Sequence, residues 1–260
     1  MPSNAYKQFK DKKVLITGAS GGLGHVCAME FANQGAHLVL AGRDKDKLTT
    51  LKRSFPRPEK VMTFAGDLTQ AKNIHQLVKE GNEFLGQFDI LVHVLGGGYG
   101  FRDPLLSWEQ LETLHRLNIG AAAEINRMVL PDMIQNKCGY SVHIGSISSM
   151  EATASVGYNT VKASLAAYVR SLGRELASTG VVVTGVLPGA FYAPGNSWER
   201  LVKQKPAVVK KFIEDNLPRK EIADAQEIIP LIMFLCSEKA SMMAGSCVPI
   251  DAGEGKTYLP

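Results

Sequence analysis

Three observations predict an α/β fold in which helices cover both faces of a parallel sheet. Short apolar runs rich in β-branched residues alternate with longer segments of helical period. A glycine-rich stretch follows the first apolar run and precedes the first helical segment. No internal repeat, low-complexity tract or Pro/Ser-rich linker interrupts this pattern. The chain is therefore predicted to form a single domain, residues 1–260, with a Rossmann-type doubly wound sheet.

Seven apolar runs predict strands that are buried on both faces. They are residues 13–17, 37–41, 60–64, 90–94, 140–145, 181–187 and 248–250. Helices are predicted between them, for example at residues 23–33, 71–84, 108–134 and 156–177. Because parallel strands are joined by crossovers that usually contain a helix, this alternation predicts a parallel sheet of about seven strands.

One connection is longer than α/β units usually need. Between Gly189 and Asp224 the sixth strand is followed by a Gly/Pro-containing stretch and a basic helical segment. We expect residues 190–223 to form a lid over a substrate cleft. Residues 198–220 contain seven basic and three acidic side chains. A basic lid would attract an anionic substrate, and a solvated helix face explains the same run of charges equally simply.

Composition restricts the class of protein. The 260 residues include 45% hydrophobic and 21% charged residues, as in soluble globular proteins. The net charge of +4, without basic runs interleaved with aromatics, predicts no nucleic-acid binding. The longest apolar stretch is too short to span a bilayer and the N-terminus lacks a signal-peptide core, so we expect a cytoplasmic protein. The cysteines predict buried thiols, with no disulfide and no metal site. They are Cys27, Cys138, Cys236 and Cys247.

The segment VLITGASGGLG carries glycines directly after an apolar strand and before a helix. Glycine permits a tight turn and a close approach to a pyrophosphate, while the helix N-terminus offers unpaired N–H donors. We therefore expect a dinucleotide site here. Its residues are Gly18, Ser20, Gly21, Gly22, Leu23 and Gly24.

The same residues fit G-x-S-x-G, which would make Ser20 the nucleophile of a serine hydrolase. That mechanism needs a later Asp or Glu and then a His near the end of the chain. The last histidine is His143. A hydrolase is therefore only a remote alternative.

Tyr158 and Lys162 lie four residues apart in a predicted helix, so their side chains share one face. A free phenol has a pKa of about 10, and a fixed ammonium nearby would favour the phenolate. Ser146 lies twelve residues upstream and could hold a carbonyl or alcohol while Tyr158 passes a proton. Alone, the spacing also fits a helix with one core aromatic residue and one solvated lysine.

In combination these residues resemble the short-chain dehydrogenase/reductase family over essentially the whole chain. The matching residues are Thr17-Gly18-x-x-x-Gly22-x-Gly24, Asp67-Leu68, Asn118, Ser146, Tyr158-x-x-x-Lys162, Pro188-Gly189 and Asp251-Ala252-Gly253. The resemblance implies a catalytic set of Tyr158, Lys162, Ser146 and Asn118, in which Asn118 holds a water in a proton relay with Lys162. It also implies homotetramers or dimers packed through helices 108–134 and 156–177.

The resemblance further implies which residues hold the cofactor. Asp67 and Leu68 would contact the adenine, Lys162 the nicotinamide ribose, and Pro188 with Gly189 the nicotinamide. Tyr158 also belongs to the expected cofactor site, as does Gly96 in the loop after the fourth strand.

Three places depart from the family pattern. His93-Val94-Leu95-Gly96 replaces Asn-Asn-Ala-Gly. Gly145 replaces the first of two serines, and Ser148 could take the place of Ser146. Ala193 stands where a threonine often binds the carboxamide.

We therefore expect an NADP(H)-dependent oxidoreductase that transfers hydride between the nicotinamide and a carbonyl or secondary alcohol of a small-molecule or acyl substrate. Gly42 stands where an acid that selects NAD would sit, and Arg43 follows it, which favours NADP(H) over NAD(H). Two alternatives remain open: a sugar epimerase or dehydratase with bound cofactor, and a cofactor-binding regulator without turnover.

Overall fold

The computed structural model describes residues 7–257. Its strands are β1 (Lys13–Thr17), β2 (His37–Gly42), β3 (Val61–Ala65), β4 (Ile90–His93), β5 (Gly139–Ile144), β6 (Val181–Pro188), β7 (Phe191–Tyr192), β8 (Ala223–Asp224) and β9 (Cys247–Ile250). Its helices are α1 (Gly22–Asn33), α2 (Lys45–Ser54), α3 (Ala71–Leu85), α4 (Trp108–His115), α5 (Ala121–Gln135), α6 (Val156–Leu176), α7 (Ser197–Gln204), α8 (Pro206–Asn216) and α9 (Ile229–Leu235). Each strand and helix whose bounds were predicted is present, with ends within one residue of the prediction.

The seven-stranded sheet has the order β3-β2-β1-β4-β5-β6-β9, and its neighbouring strands are parallel. The chain runs outward from β1 to β3 and then returns to pair β4 with the other side of β1. Ligands of doubly wound sheets bind where the strand order reverses, at the carboxyl ends of the strands. The predicted fold class is confirmed. The strand order reverses between β1 and β4, so a ligand site is expected at their carboxyl ends.

Both faces of the sheet are covered, as the continuous apolar runs predict. In β1, Val14 and Ile16 face the core under α1, α2 and α9, whereas Leu15 faces the core under α3, α5 and α6. This alternation follows from the two-residue period of a strand. Every residue of β6 is buried. Burial of apolar area on two faces stabilises the sheet.

The connection between β6 and α9 is a packed substructure. The short strands β7 and β8 pair in parallel, and α7 and α8 lie between them in the chain. Val209, Leu217 and Ile222 are buried in a small apolar cluster of their own, against which the rings of Trp198 and Phe212 pack with centroids 4.5 Å apart. The role of residues 190–223 as a lid stays a prediction.

The prediction of four buried thiols is wrong for one cysteine. Cys138 is exposed, because it lies in the turn between α5 and β5. Cys27 and Cys236 are buried and Cys247 is partly buried. Within residues 7–257, no helix has the length and apolar character needed to cross a bilayer.

Two buried histidines face each other across β4 and β5. His93 and His143 are paired in register, and their rings stack with centroids 4.5 Å apart. Asn126 on α5 contacts both: its Oδ1 lies 3.0 Å from His93 Nε2 and its Nδ2 lies 3.3 Å from His143 Nε2. Burial lowers the pKa of His93 to about 4. Burial also holds the pKa of His143 well below its usual value, with smaller effects from His93 and Lys162.

We expect this pair to make the fold sensitive to acid. Both folded-state pKa values lie below the value of about 6.5 in an unfolded chain, so stability is fully present above pH 6.5 and is lost as pH falls towards 4. Two such groups give a slope of up to about 2.7 kcal/mol per pH unit. Urea unfolding at several pH values should show a shallower loss for the double variant His93→Asn, His143→Asn. His115→Asn, at an exposed histidine of α4, is the control; parallel curves for wild type and double variant would contradict the expectation.

Candidate functional site

The turn between β1 and α1 has the backbone geometry that its glycines predict. Gly18 and Gly22 have φ angles of 71° and 57°, in the left-handed region that favours glycine. A Cβ on Gly24 would clash with the carbonyl oxygen of Gly18. Any side chain at residue 24 would therefore force the turn apart.

The N-terminus of α1 is suited to an anion. Gly21 precedes the helix without a side-chain cap, and the first turn contains no acidic residue. Its N–H groups and partial positive charge suit the pyrophosphate of a dinucleotide. The Gly22 N–H donates to the Pro194 carbonyl at 2.6 Å, which brings the segment after β7 against the turn. Ser20 lies beside β2, where a Cβ on Gly42 would be 2.8 Å from the Ser20 Oγ.

The residues predicted to hold the adenosine end follow β2 and β3 at the same edge of the sheet. Arg43 is exposed directly after β2. Asp67 is exposed after β3, and its Oδ1 accepts hydrogen bonds from the Thr69 N–H at 3.0 Å and hydroxyl at 2.9 Å. The side chains of Leu68 and Leu23 are each only 3% exposed. Any contact of these two leucines with a cofactor would therefore involve mainly their backbones.

Asn118 lies where the long helix predicted at residues 108–134 changes its winding. A π-helical turn, Arg116–Gly120, joins α4 to α5 without a break, and such turns are frequent at functional sites. The buried Asn118 side chain binds the loop after β4 at both its polar atoms. Its Oδ1 accepts from the Gly97 N–H at 3.0 Å, and its Nδ2 donates to the carbonyls of Gly97 and Leu114, each at 2.9 Å.

Lys162 is buried between β5 and Tyr158. Its Nζ donates to the Ile144 carbonyl at 3.0 Å and lies 5.6 Å from the centroid of the Tyr158 ring. A Cβ on Gly96 would be 3.0 Å from this Nζ and 2.9 Å from the Asn118 Oδ1. The missing side chain at residue 96 therefore lets Lys162 and Asn118 approach the same point.

Ser146 lies beside Tyr158, whereas Ser148 does not. The Ser146 hydroxyl lies close enough to Tyr158 to act on its pKa, in the direction that lowers it. The Ser148 hydroxyl lies 3.1 Å from the hydroxyl of Thr153 and is nearly buried. The sequence left open which of the two serines acts with Tyr158. Ser146 is the one whose hydroxyl could bind the same substrate oxygen as the Tyr158 hydroxyl.

The expected direction of the Tyr158 pKa is wrong in this structure. Burial raises the pKa of Tyr158, and the nearby Ser146 hydroxyl opposes that rise without overcoming it. Burial also lowers the pKa of Lys162 to about 8. The loss of hydration disfavours both charged forms. A neutral phenol is a proton donor, so the site as it stands suits delivery of a proton to a carbonyl oxygen.

The loop after β6 is held by the C-terminal residues. Gly189, next to Pro188 at the end of the strand, donates its N–H to the Ile250 carbonyl at 3.2 Å. The Ala190 N–H donates to the Glu254 Oε2 at 2.6 Å. Sequence reasoning missed Glu254; its only signal is an acid directly after Asp251-Ala252-Gly253.

The fold and the site define a class of protein: a doubly wound domain with a glycine turn suited to an anion and with Ser146, Tyr158 and Lys162 at one edge of the sheet. A family model described as enoyl-(acyl carrier protein) reductase matches residues 18–254. The chain belongs to the short-chain dehydrogenase/reductase family and is an oxidoreductase of that family.

Individual relatives cover most of the chain. Glucose 1-dehydrogenase of Gluconobacter oxydans is 29% identical over 97% of this chain and 95% of its own length. An uncharacterized oxidoreductase of Staphylococcus epidermidis is 32% identical over 71% of this chain and 80% of its own. The crystal structure of L-sorbose reductase from Gluconobacter frateurii, complexed with NADPH and L-sorbose, is similar with a TM-score of 0.88 and 27% identity, covering 97% of this chain and 100% of that one.

We expect Lys162→Met to stabilise the fold at neutral pH. The folded-state pKa of about 8 lies below the value of about 10.4 in an unfolded chain. Stability from this group is therefore present above pH 10.4 and lost as pH falls through 8. Methionine removes a cost of up to about 3 kcal/mol, offset by about 1 kcal/mol for the lost hydrogen bond to Ile144.

Urea unfolding measures this effect. At pH 7 the free energy of unfolding of Lys162→Met should exceed that of wild type, and the difference should shrink at pH 9.5. Lys72→Met, at an exposed lysine of α3, is the matched control. A Lys162→Met protein that is less stable than wild type at pH 7 would contradict the expectation.

Proposed function

We propose that the protein is an NADP(H)-dependent oxidoreductase that transfers hydride between the nicotinamide and a carbonyl or secondary alcohol. One observation carries the proposal: Ser146 lies close enough to Tyr158 to act on the pKa of its phenol, and the Lys162 Nζ lies 5.6 Å from the Tyr158 ring centroid. The cofactor supplies the hydride when bound, and the protein orients and polarises the reacting groups.

Each catalytic side chain has a role that its contacts support. Tyr158 gives its phenolic proton to the substrate oxygen, and the Ser146 hydroxyl holds the same oxygen. The Lys162 ammonium stabilises the phenolate that remains. Asn118 fixes the Gly97 backbone beside Lys162 and supports the relay that returns the proton to Tyr158.

The cofactor contacts follow the carboxyl edge of the sheet. The turn from Gly18 to Gly24 cradles the pyrophosphate, and Arg43 pairs with the 2′-phosphate. Asp67 and the Leu68 backbone would contact the adenine. Gly96, Pro188 and Gly189 shape the nicotinamide side, and Lys162 contacts its ribose. The NADPH complex of the similar L-sorbose reductase supports this choice of cofactor.

The substrate class we propose first is a small polyhydroxylated carbonyl or alcohol. Two relatives over nearly the whole chain are a glucose 1-dehydrogenase and an L-sorbose reductase. Three of the seven basic side chains of residues 198–220 form ion pairs with nearby acids: Lys203 with Glu199, Lys210 with Glu214, and Arg219 with Glu221 and Glu227. Because these charges are compensated locally, the segment gives less support to an anionic substrate, which stays a second candidate together with an acyl substrate.

The remaining alternatives differ in what they consume. A sugar epimerase or dehydratase regenerates its bound cofactor, and a cofactor-binding regulator turns nothing over, so neither consumes free NADPH in proportion to product. The serine hydrolase loses its support, since the Ser20 Oγ packs against Gly42 and the chain belongs to an oxidoreductase family.

Replacement of Tyr158 with Phe tests the proton donor. We expect turnover to fall by about 10² to 10⁴, because only the acid/base hydroxyl is lost, while the Kd for NADPH stays within about threefold. The assay follows NADPH absorbance with L-sorbose, other ketoses and anionic carbonyl compounds. Tyr168→Phe removes a hydroxyl from the same helix, where it accepts from Asn126, and should leave turnover unchanged. Undiminished turnover by Tyr158→Phe would remove Tyr158 from the mechanism.

Replacement of Arg43 with Ala tests the choice of cofactor. A charge-assisted bond from a guanidinium to the 2′-phosphate is worth about ten- to a hundredfold in affinity. We expect the Kd for NADPH to rise by that factor and the Kd for NADH to stay the same. Arg53→Ala, at an exposed arginine of α2, controls for the loss of one positive charge. Equal affinities for NADH and NADPH in wild type, unchanged in Arg43→Ala, would refute the proposal.

A homo-oligomer, tetramer or dimer, also stays our proposal. Large apolar side chains lie exposed near the start of the two helices that the family resemblance places at an interface: Leu105 is 87% exposed, Trp108 77% and Val156 51%. Contact with a second copy would remove this apolar area from water. A cytoplasmic location likewise stays a prediction.

A further inference from the structure

The C-terminal residues hold the loop after β6 at two consecutive peptide groups. The Gly189 N–H donates to the Ile250 carbonyl, and the Ala190 N–H donates to the Glu254 Oε2 at 2.6 Å. A Cβ on Gly189 would lie 2.5 Å from the same Glu254 oxygen. The Glu254 carboxylate can therefore lie this close to the backbone only because residue 189 has no side chain.

The bond to Ala190 fixes the orientation of a whole peptide plane. In a trans peptide the N–H and the C=O point in opposite directions. With the Ala190 N–H aimed at Glu254, the Gly189 carbonyl must point away from the C-terminal residues. One carboxylate thus sets the direction of the backbone dipole next to Pro188.

Glu254 is itself held by a turn that Asp251 organises. The Asp251 carboxylate accepts from the Gly253 N–H at 3.1 Å and from the Gly255 N–H at 2.9 Å. The Glu254 N–H donates to the Asp251 carbonyl at 3.0 Å. The side chain that binds the loop therefore projects from a fixed backbone.

A second carboxylate fastens the same C-terminal segment on its other side. Glu151, which follows the turn that carries Ser146, accepts from the N–H groups of Lys256 and Thr257. The segment therefore joins the serine side of the cleft to the loop after β6.

Glu254 sits where its charge is disfavoured. Burial raises its pKa, the bond from Ala190 lowers it, and the nearby carboxylates of Asp251 and Glu151 raise it further. Ala193 further along the loop carries no hydroxyl and is nearly buried. A carboxylate held against an electrostatic cost, with its bond directed at this loop, is better explained by a role at the cleft than by stability alone.

We propose that Glu254 is a positioning residue that fixes the Gly189–Ala190 peptide and thereby the nicotinamide side of the cleft. This inference rests on the proposed function, because it assigns that loop to the nicotinamide end of NADPH. Glu254 acts through the backbone and touches neither substrate nor the reacting atoms.

Binding of whole and truncated cofactor tests the proposal. NADPH contains the nicotinamide, whereas 2′,5′-ADP contains only the adenosine end. Loss of a charge-assisted hydrogen bond that orders a loop corresponds to about tenfold in affinity. We expect Glu254→Ala to raise the Kd for NADPH by that factor and to leave the Kd for 2′,5′-ADP within about twofold. Glu254→Gln keeps an acceptor of the same size and should restore the NADPH Kd to within about threefold of wild type.

Asp89→Ala is the matched control. The Asp89 carboxylate accepts from the Lys13 N–H at 2.8 Å, a similar bond between a carboxylate and a backbone N–H at the opposite end of the sheet. Its loss should change neither Kd. If Glu254→Ala leaves the NADPH Kd unchanged, or weakens 2′,5′-ADP as much as NADPH, the positioning role is wrong.

Amide exchange in the ligand-free protein separates this inference from the proposed function. The Ala190 N–H should exchange at least about tenfold faster in Glu254→Ala than in wild type, with the central strands unaffected. If the Ala190 N–H exchanges at the same rate in Glu254→Ala and in wild type, Glu254 does not hold the loop, whichever cofactor the protein binds. A wild-type protein that binds neither NADPH nor 2′,5′-ADP would instead refute the proposed function, and the exchange rates would still decide whether Glu254 holds the loop.

Discussion

The site depends on the point at the carboxyl edge of the sheet where the pairing of β1 with β4 ends and the segments that follow them diverge. The Thr17 hydroxyl accepts from the N–H groups of Val94 and Leu95, each at 3.2 Å, and so joins the two strands beyond their last paired residues. From this point β1 continues into the glycine turn at Gly18, and β4 continues into the loop that Asn118 holds at Gly97. Because all strands of the sheet run in the same direction, their carboxyl ends lie at one edge. The residues of the site lie at the same edge, in the segments that follow these strands.

The buried ammonium of Lys162 opposes the stability of the fold at neutral pH, because burial disfavours its charged form. Burial lowers the pKa of Lys162 and raises that of Tyr158, so both charged states are disfavoured before any ligand enters. The hydrogen bond from Lys162 to the Ile144 carbonyl offsets part of this cost. Natural proteins keep such groups where chemistry needs them, at the expense of stability. The arrangement is therefore better explained by proton transfer than by packing.

The sequence predicted the strands and helices closely because continuous apolar runs and helical periods are local signals. It could not predict which of Ser146 and Ser148 faces Tyr158, since that depends on the turn Ile147–Ser149 that separates them. The expected lowering of the Tyr158 pKa was wrong, because the burial that raises this pKa arises only when the cleft is assembled. Glu254 was missed for a similar reason: it binds a residue 64 positions away, and no local pattern marks that pairing.

The charges around the cleft also show that counting basic and acidic residues within one segment overestimates its net positive charge. Residues 198–220 carry four excess positive charges, yet Arg219 pairs with Glu221 and Glu227, which lie just outside that range. Near the loop after β6, Glu254 forms a group of carboxylates with Asp251 and Glu151. Burial raises the pKa of Glu254, and repulsion by the other two carboxylates raises it further. An anionic substrate beside Gly189 would be repelled by that group, whereas an uncharged substrate would not. Electrostatics near the loop after β6 thus gives the proposal of an uncharged substrate more support than the proposal of an anionic one.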